Sequence, residues 1–157
     1  MQIYYTILFF ILGTVLGSFY NVVGYRLPKN ESVLYPRRSY CPKCHHSLSK
    51  WELIPVLSFL FQRGKCKHCH HPISFFYPFI ELLTGVLFAI SFYSFGFSYQ
   101  LVIALSLSSL FSIVIISDLE YLIIPDEVTV TVGIIISIAI FLGRGYQEGL
   151  MALGSGV

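Results

Sequence analysis

The sequence predicts an all-α polytopic membrane protein that carries one large polar loop. The first observation is the composition of the 157-residue chain, which is 55% hydrophobic and only 11% charged, with a mean hydropathy of +0.74. Soluble domains carry about 25% charged residues. The second observation is a series of long uncharged runs, and the third is the concentration of nearly all basic residues in one segment. Together these features exclude an ordinary soluble globular domain.

The first apolar run, residues 3–23, predicts a retained first transmembrane helix. Residues 1–25 have neither a basic n-region nor a small-residue cleavage site after the apolar run, so they do not resemble a cleavable signal peptide. At roughly 20 residues per membrane crossing, this run is long enough to span a bilayer once.

The second and third helices are predicted from the 36 consecutive uncharged residues between Glu81 and Asp118. This run is too long for one span, and residues 94–100 combine small and aromatic residues suited to an interfacial turn. We therefore expect a second span over residues 77–93 and a third over residues 99–117.

A fourth, shorter span is predicted over residues 128–142, which are rich in Ile and Val. A helix is one of very few structures that satisfy their own backbone in lipid, so the β-branched residues do not argue for a strand. Residues 149–157 resemble the opening of a fifth span, and we expect the chain to stop within that element. There is no internal repeat and no low-complexity segment.

The distribution of charge predicts the orientation. Nine of the ten Lys and Arg residues lie between Arg26 and Lys67, where two acidic residues leave a formal charge of +7, whereas the rest of the chain carries −5 from one basic and six acidic residues. Beside apolar spans, the positive-inside rule explains this asymmetry more simply than nucleic-acid binding does. We expect the N-terminus outside and residues 24–76 in the cytoplasm. Three regions follow: residues 1–25, 26–76 and 77–157.

All four cysteines fall in two matching C-x-x-C pairs, Cys41 with Cys44 and Cys66 with Cys69. Four thiolates complete the tetrahedral shell of structural Zn²⁺, so this spacing predicts a structural zinc site. Two disulfides fit poorly with a cytoplasmic loop, and a redox pair would need a βαβ context that is missing here. The full predicted architecture is about four transmembrane helices plus the start of a fifth, with a cytoplasmic Cys₄ zinc-knuckle loop between helices 1 and 2.

Five histidines crowd the same loop and could compete as ligands, which leaves a Cys₃His set as an alternative. They are His45, His46, His68, His70 and His71. A closed four-ligand site has no open position for water, so its expected role is to fold the loop and not to catalyse.

Three carboxylates near the spans are candidate functional residues. Asp118 follows the third apolar run directly, where an ionisable group is either functional or a helix-end charge in the headgroup region. Glu81 is ambiguous in the same way and could instead favour a helix N-terminus. Asp126, next to Pro125, resembles a cap of the fourth helix.

The order of short motifs resembles the prepilin peptidase family over nearly the whole chain. Residues 17–28, GSFYNVVGYRLP, resemble the GSFLNVVxxRLP signature that ends the family's first helix. The further motifs follow in order: the two cysteine pairs, WELIP at residues 51–55, GKC at residues 64–66, IS at residues 73–74 and YPFIELLTG at residues 77–85.

The resemblance implies an intramembrane aspartic endopeptidase of the bacterial cytoplasmic (inner) membrane. Such an enzyme cuts the leader from type IV pilin or pseudopilin precursors in pilus, secretion or competence systems, and many members also methylate the new N-terminus with S-adenosylmethionine. Asp118 matches the first catalytic position, and Asp126 matches the residue that follows the motif's proline. The resemblance also implies that the zinc loop and the region of Asn21, Arg26, Glu81 and Asp126 take part in handling substrate or methyl donor.

The chain departs from the family pattern in its second catalytic motif. It has no GxGD, and its only aspartates are Asp118 and Asp126. Aspartic chemistry needs two carboxylates that share a proton, and Asp126 lies beyond Pro125, off the helical face of Asp118. We therefore expect the N-terminal part of a peptidase, inactive alone. The alternative is a non-catalytic membrane zinc module that binds precursors or secretion partners. A small transporter subunit would leave the cysteines unexplained.

Overall fold

The computed structural model describes residues 1–33, 40, 41 and 43–154, with only the backbone described at residue 50 and residues 146–154. Five α-helices lie in this part of the chain: α1 (Gln2–Arg26), α2 (Leu57–Phe61), α3 (Phe76–Phe95), α4 (Tyr99–Tyr121) and α5 (Asp126–Gly154). Short 3₁₀ turns cover Leu27–Lys29 and Lys50–Leu53. No strand longer than an isolated bridge occurs among the described residues, which confirms the all-α prediction.

Four of these helices are long and apolar enough to cross a membrane. They match the four predicted spans in order, and α2 lies in the polar loop between α1 and α3. Residues 149–154, expected to open a further span, instead continue α5 without a break, while residues 155–157 lie outside the described residues. The physical reason is that Gly143 and Gly145 interrupt the apolar pattern but cost a helix only about 1 kcal/mol each, too little to end it.

Close packing of α1 against α3 forms the centre of the bundle, and it depends on small residues. A Cβ atom added to Gly13 of α1 would lie 2.7 Å from the Thr84 carbonyl oxygen and 2.8 Å from the Gly85 Cα. One added to Gly85 would lie 2.7 Å from the Thr14 Cγ2. Small residues that let backbones approach are the usual means of association between membrane helices. Ile80 and Thr84 are fully buried at this contact.

A tight turn connects α4 to α5 and positions two of the predicted site carboxylates, Asp118 and Asp126. Leu122 adopts a left-handed conformation (φ 53°) at the C-terminus of α4, and its N–H donates to the Asp118 carbonyl. The Ser117 hydroxyl donates to the Ile123 carbonyl at 2.6 Å, and Pro125 is buried just before α5 begins. Asp118 and Asp126 therefore lie on either side of a short, well-bonded turn.

Candidate metal centre and membrane-embedded polar junction

The two cysteine pairs fold into two hairpins with the same backbone pattern. In the first, the Cys41 N–H donates to the His46 carbonyl at 3.0 Å; in the second, the Cys66 N–H donates to the His71 carbonyl at 2.8 Å. His45 and His70 occupy equivalent left-handed positions, both with φ 54°. The repeated C-x-x-C-H-H sequence thus produces two equivalent knuckles that face each other.

The sulfur atoms of the two knuckles form a compact group. The Sγ atoms of Cys41 and Cys69 are 3.8 Å apart, those of Cys44 and Cys66 are 3.9 Å apart, and all four lie within 4.8 Å of one another. A tetrahedron with Zn–S bonds of about 2.3 Å has S–S edges of about 3.8 Å. A disulfide requires about 2.05 Å. The four cysteines are free thiols in an arrangement that fits one tetrahedral metal ion.

The electrostatics of the thiols also suit a metal. Backbone N–H groups of Cys44 and Lys43 donate to the Cys41 sulfur and lower the pKa of its thiol to about 6. At Cys44 the His46 N–H has the same lowering effect, but burial and the neighbouring sulfurs outweigh it and raise the pKa to about 12. Sulfurs this close cannot all ionise without a cation among them, and a divalent ion supplies that charge.

The histidines of the loop stand outside this group. Among the described residues, the only set of metal-ligating side chains close enough to share an ion is the four cysteines. His46 packs against His68 with ring centroids 3.9 Å apart, and its Nε2 lies 3.9 Å from a carboxylate oxygen of Glu52. This geometry supports the Cys₄ set over the Cys₃His alternative.

Two predicted site residues, Asn21 and Glu81, come together at the α1–α3 contact. Asn21 is 4% exposed, and its Nδ2 donates to the Tyr77 carbonyl at 3.3 Å, while its Oδ1 is buried with no hydrogen-bond partner. Glu81 is 8% exposed and accepts the Val56 N–H at 2.7 Å. The Ser18 hydroxyl also bonds to Glu81. The interpretation of Glu81 as a helix N-terminal charge is wrong, because it lies beyond the first turn of α3 and is bonded from another segment.

Arg26 has a structural role at the end of α1. Its guanidinium Nη1 donates to the Ser32 carbonyl at 3.1 Å and to the Val33 carbonyl at 3.4 Å. These bonds fold the start of the polar loop back on the helix end.

The two aspartates occupy exposed positions at helix ends. Asp118 lies in the last turn of α4, and Asp126 is the first residue of α5, where the helix dipole favours an anion. They belong to different helices and share no helical face, as the sequence predicted. Neither is buried.

Sequence reasoning missed a polar contact between α1 and α4 near Asp118. The Tyr25 hydroxyl donates to Glu120 at 2.9 Å, and the Tyr25 ring packs 5.4 Å from that of Tyr77. The Lys29 Nζ lies 5.4 Å from the centre of the Tyr121 ring. The signal was present in the sequence, since Glu120 stands two residues after the flagged aspartate, but only the packing of α1 against α4 identifies its partner.

Comparison with known proteins places these features in context. The model of the bacterial peptidase A24 N-terminal domain matches residues 11–95, more than half of the chain. That range includes the cysteine knuckles and the α1–α3 contact. No solved structure matches the chain.

Several curated relatives are named prepilin leader peptidase/N-methyltransferase. A prepilin leader peptidase/N-methyltransferase of Bacillus subtilis (strain 168) is 48% identical over 121 residues, covering 77% of this chain and 48% of the relative. Those of Myxococcus xanthus (strain DK1622) and Neisseria gonorrhoeae are 41% and 37% identical over 155 and 145 residues, covering 97% and 76% of this chain. They are covered over 46% and 50% of their own length, so the chain spans about half the length of the curated relatives it matches.

Proposed function

Because the chain belongs to the family of the bacterial peptidase A24 N-terminal domain, we propose that it provides the N-terminal part of a membrane-embedded peptidase. Its substrates would be prepilin or pseudopilin precursors, from which the enzyme removes the leader and then methylates the new N-terminus. The observation that carries this proposal is the agreement between the family match and an exposed aspartate at the end of a membrane span.

Asp118 is the proposed first catalytic carboxylate. Its exposed position in the last turn of α4 gives a carboxylate access to water and to a polypeptide at the membrane surface. In aspartic peptidases one carboxylate takes a proton from the attacking water while a second, protonated one donates to the carbonyl. The other aspartate among these 157 residues, Asp126, lies on a different helix. We therefore propose that cleavage needs a carboxylate from outside them.

The test compares leader removal by three proteins in matched membranes: the 157-residue chain, a version extended through further spans, and the extended version carrying Asp118→Asn. Each general acid or base contributes about 10²- to 10⁴-fold to the rate. Of these three proteins, we therefore expect only the extended version that retains Asp118 to remove the leader. Asp126→Asn in the extended protein is the matched control and should retain cleavage. Robust cutting by the short chain would mean that Asp126 or Glu81 completes the site. Full activity of the Asp118→Asn variant would remove that residue from the mechanism.

Inactivity of every form would favour the second candidate function, a non-catalytic zinc module that binds precursors. The specific observation in its favour is the pair of aspartates on separate helices. Binding of a precursor leader peptide by the inactive chain would then identify it.

The metal is proposed to be Zn²⁺, held by the four cysteines in a closed structural site. The sulfur separations near 3.8 Å and the absence of an open ligand position support this role. A short loop that lacks a large apolar core gains most of its folding energy from such an ion.

The proposed methyl-donor or substrate region includes Asn21 and Glu81. The unpartnered Oδ1 of Asn21 is an acceptor for a donor group of a ligand. S-adenosylmethionine supplies an activated methyl group when bound. Binding of S-adenosylmethionine, measured by equilibrium dialysis, should weaken in Asn21→Leu and persist in Tyr4→Phe, a change on an exposed part of α1. Equal affinities would contradict the assignment of Asn21.

The proposed orientation has the N-terminus outside and the cysteine loop in the cytoplasm of a bacterial inner-membrane protein. The nine basic residues between Arg26 and Lys67 support it. In intact cells, a membrane-impermeant thiol reagent should label Gln2→Cys but reach Gln62→Cys only after permeabilisation. Labelling of Gln62→Cys from outside would reverse the topology.

A further inference from the structure

Among the described residues, an exposed apolar face lies on the polar loop between α1 and α3. Leu57, Leu60 and Phe61 occupy i, i+3 and i+4 positions of α2, so they share one side of this short helix, and all three are exposed. Trp51 and Phe75 flank α2 and are 81% and 68% exposed. The 3₁₀ turn carrying Trp51 packs against α2, and the Phe75 ring lies 6.0 Å from that of Phe59 in α2. Clustered exposed aromatic and aliphatic side chains mark an interaction surface.

A strained turn fixes the depth of this face relative to the membrane spans. Val56 has φ 61° and ψ −50°, and the Leu57 N–H donates to the Pro55 carbonyl at 2.6 Å, which is a γ-turn rarely adopted by a β-branched residue. The Val56 N–H donates to the buried Glu81 carboxylate. The strained conformation of Val56 is therefore stabilised by a hydrogen bond to Glu81, a residue inside the helix bundle.

That bond places α2 at the membrane surface. Glu81 lies five residues beyond Phe76, the first residue of α3, which corresponds to about 7.5 Å along the helix axis. The whole of α3 is about 30 Å long, close to the hydrocarbon thickness. The start of α2 is thus held beside the first turns of a span and cannot project far into water.

The exposed charges that follow α2 are all basic. Arg63, Lys65 and Lys67 follow α2 within six residues, and all are exposed. The two acidic side chains nearby are both engaged: Glu81 accepts the Val56 N–H, and Glu52 accepts bonds from the Ser49 hydroxyl and amide. An apolar face with an aromatic anchor and neighbouring basic residues is the composition of helices that lie in a membrane interface.

We propose that α2, through the face formed by Leu57, Leu60 and Phe61 and with the exposed flanking rings of Trp51 and Phe75, docks into the headgroup layer of the same bilayer that the spans cross, and that anionic phospholipids strengthen the contact. The loop is then attached to the membrane at a second place, beyond the ends of α1 and α3. The proposal concerns a lipid surface and does not depend on the peptidase assignment. Docking of α2 would give the loop a contact with the membrane surface in addition to the transmembrane spans.

Trp51 is the only tryptophan of the chain and therefore reports on this contact directly. The whole 157-residue chain is reconstituted into vesicles of phosphatidylcholine alone or mixed with phosphatidylglycerol. We expect tryptophan emission shifted to the blue, protection from iodide, and quenching by lipids spin-labelled near the headgroup more than by lipids labelled near the chain end. Protection should be greater with phosphatidylglycerol, since each basic side chain near an anionic surface changes the docked-to-undocked ratio by about fivefold.

Two kinds of variant separate docking from misfolding. Leu60→Ser combined with Phe61→Ser should restore quenching by iodide, with helix content checked by circular dichroism. Arg63→Gln combined with Lys65→Gln alters exposed side chains only and should weaken the preference for phosphatidylglycerol, of which Lys67 retains a part. Arg144→Gln, which removes one positive charge from the far part of α5, is the control and should leave the preference unchanged.

Three results would overturn the proposal. Trp51 could remain fully accessible to iodide and insensitive to spin-labelled lipid, so that the face stays in water. It could become protected only when a precursor protein is added, which would make the occupant a protein partner. It could become protected only at high protein-to-lipid ratio, which would make the occupant a second copy of the chain.

Discussion

Replacing Gly13 by alanine is predicted to separate α1 from α3. The added Cβ would lie 2.7 to 2.9 Å from the Thr84 carbonyl oxygen, the Gly85 Cα and the Phe88 Cβ, whereas ordinary contact begins at 3.4 Å. Two of these atoms belong to the backbone and the third is fixed to it, so no side-chain rotation relieves the clash. The helices must move apart by about 0.7 Å, the difference between 3.4 and 2.7 Å. A gap of about 0.5–1 Å forfeits a quarter to a half of each dispersion contact.

Overpacking of this kind costs about 1–3 kcal/mol. The matched control is Gly133→Ala in α5, where an added Cβ would meet nothing within 4 Å. Both variants are unfolded from mild detergent by titration with sodium dodecyl sulfate, followed by the loss of helix circular dichroism. We expect a lower midpoint for Gly13→Ala and an unchanged or higher one for Gly133→Ala, since alanine is up to about 1 kcal/mol more favourable than glycine within a helix. If the two variants unfold within about 0.5 kcal/mol of each other, the range of ordinary surface substitutions, then the close approach of α1 and α3 is not what stabilises the bundle.

Three further predictions concern the polar loop. Purified protein should contain one zinc per chain and lose it in Cys66→Ser but not in Ser47→Ala; metal analysis giving well under one zinc per wild-type chain would contradict the Cys₄ assignment. Glu81→Leu should speed hydrogen exchange of the Val56 amide by about tenfold or more, because a hydrogen bond to a carboxylate contributes about 1.5 kcal/mol or more. Unchanged exchange would mean that the turn at Val56 is stable without the bond to Glu81. Hydrogen bonds from the Ser49 hydroxyl and amide lower the pKa of Glu52, so its contribution to the stability of the loop is present at neutral pH and is lost as pH falls through that lowered pKa. Glu52→Gln should remove this acid dependence, measured by amide exchange across the loop, and an identical pH profile in the variant would refute the assignment.

Several features of this protein follow from local sequence alone. Hydrophobic runs of about 20 residues predict spans because the bilayer requires that length and a helix satisfies its own backbone. The repeated C-x-x-C-H-H pattern predicts two equivalent knuckles because neighbouring residues determine each hairpin. The position of Asp118 at the end of α4 follows from the end of the third apolar run, to within a few residues.

Local sequence could not show where α5 continues. Gly143 and Arg144 interrupt the apolar pattern, which suggested an end at residue 142, yet the helix runs to Gly154. Hydropathy indicates how favourably a segment partitions into lipid, whereas the continuity of a helix depends on its backbone hydrogen bonds. Glycine lowers the stability of a helix without breaking these bonds.

The tertiary structure decided which distant residues meet. Asn21 and Glu81 are 60 positions apart in sequence, and both are buried at the α1–α3 interface because glycines let the two helices approach at one particular register. The bond from Val56 to Glu81 sets the height of the loop above the spans in the same way. Such contacts depend on the rotation and offset of one helix against another, which are determined by side-chain packing along the whole interface and not by any short stretch of sequence.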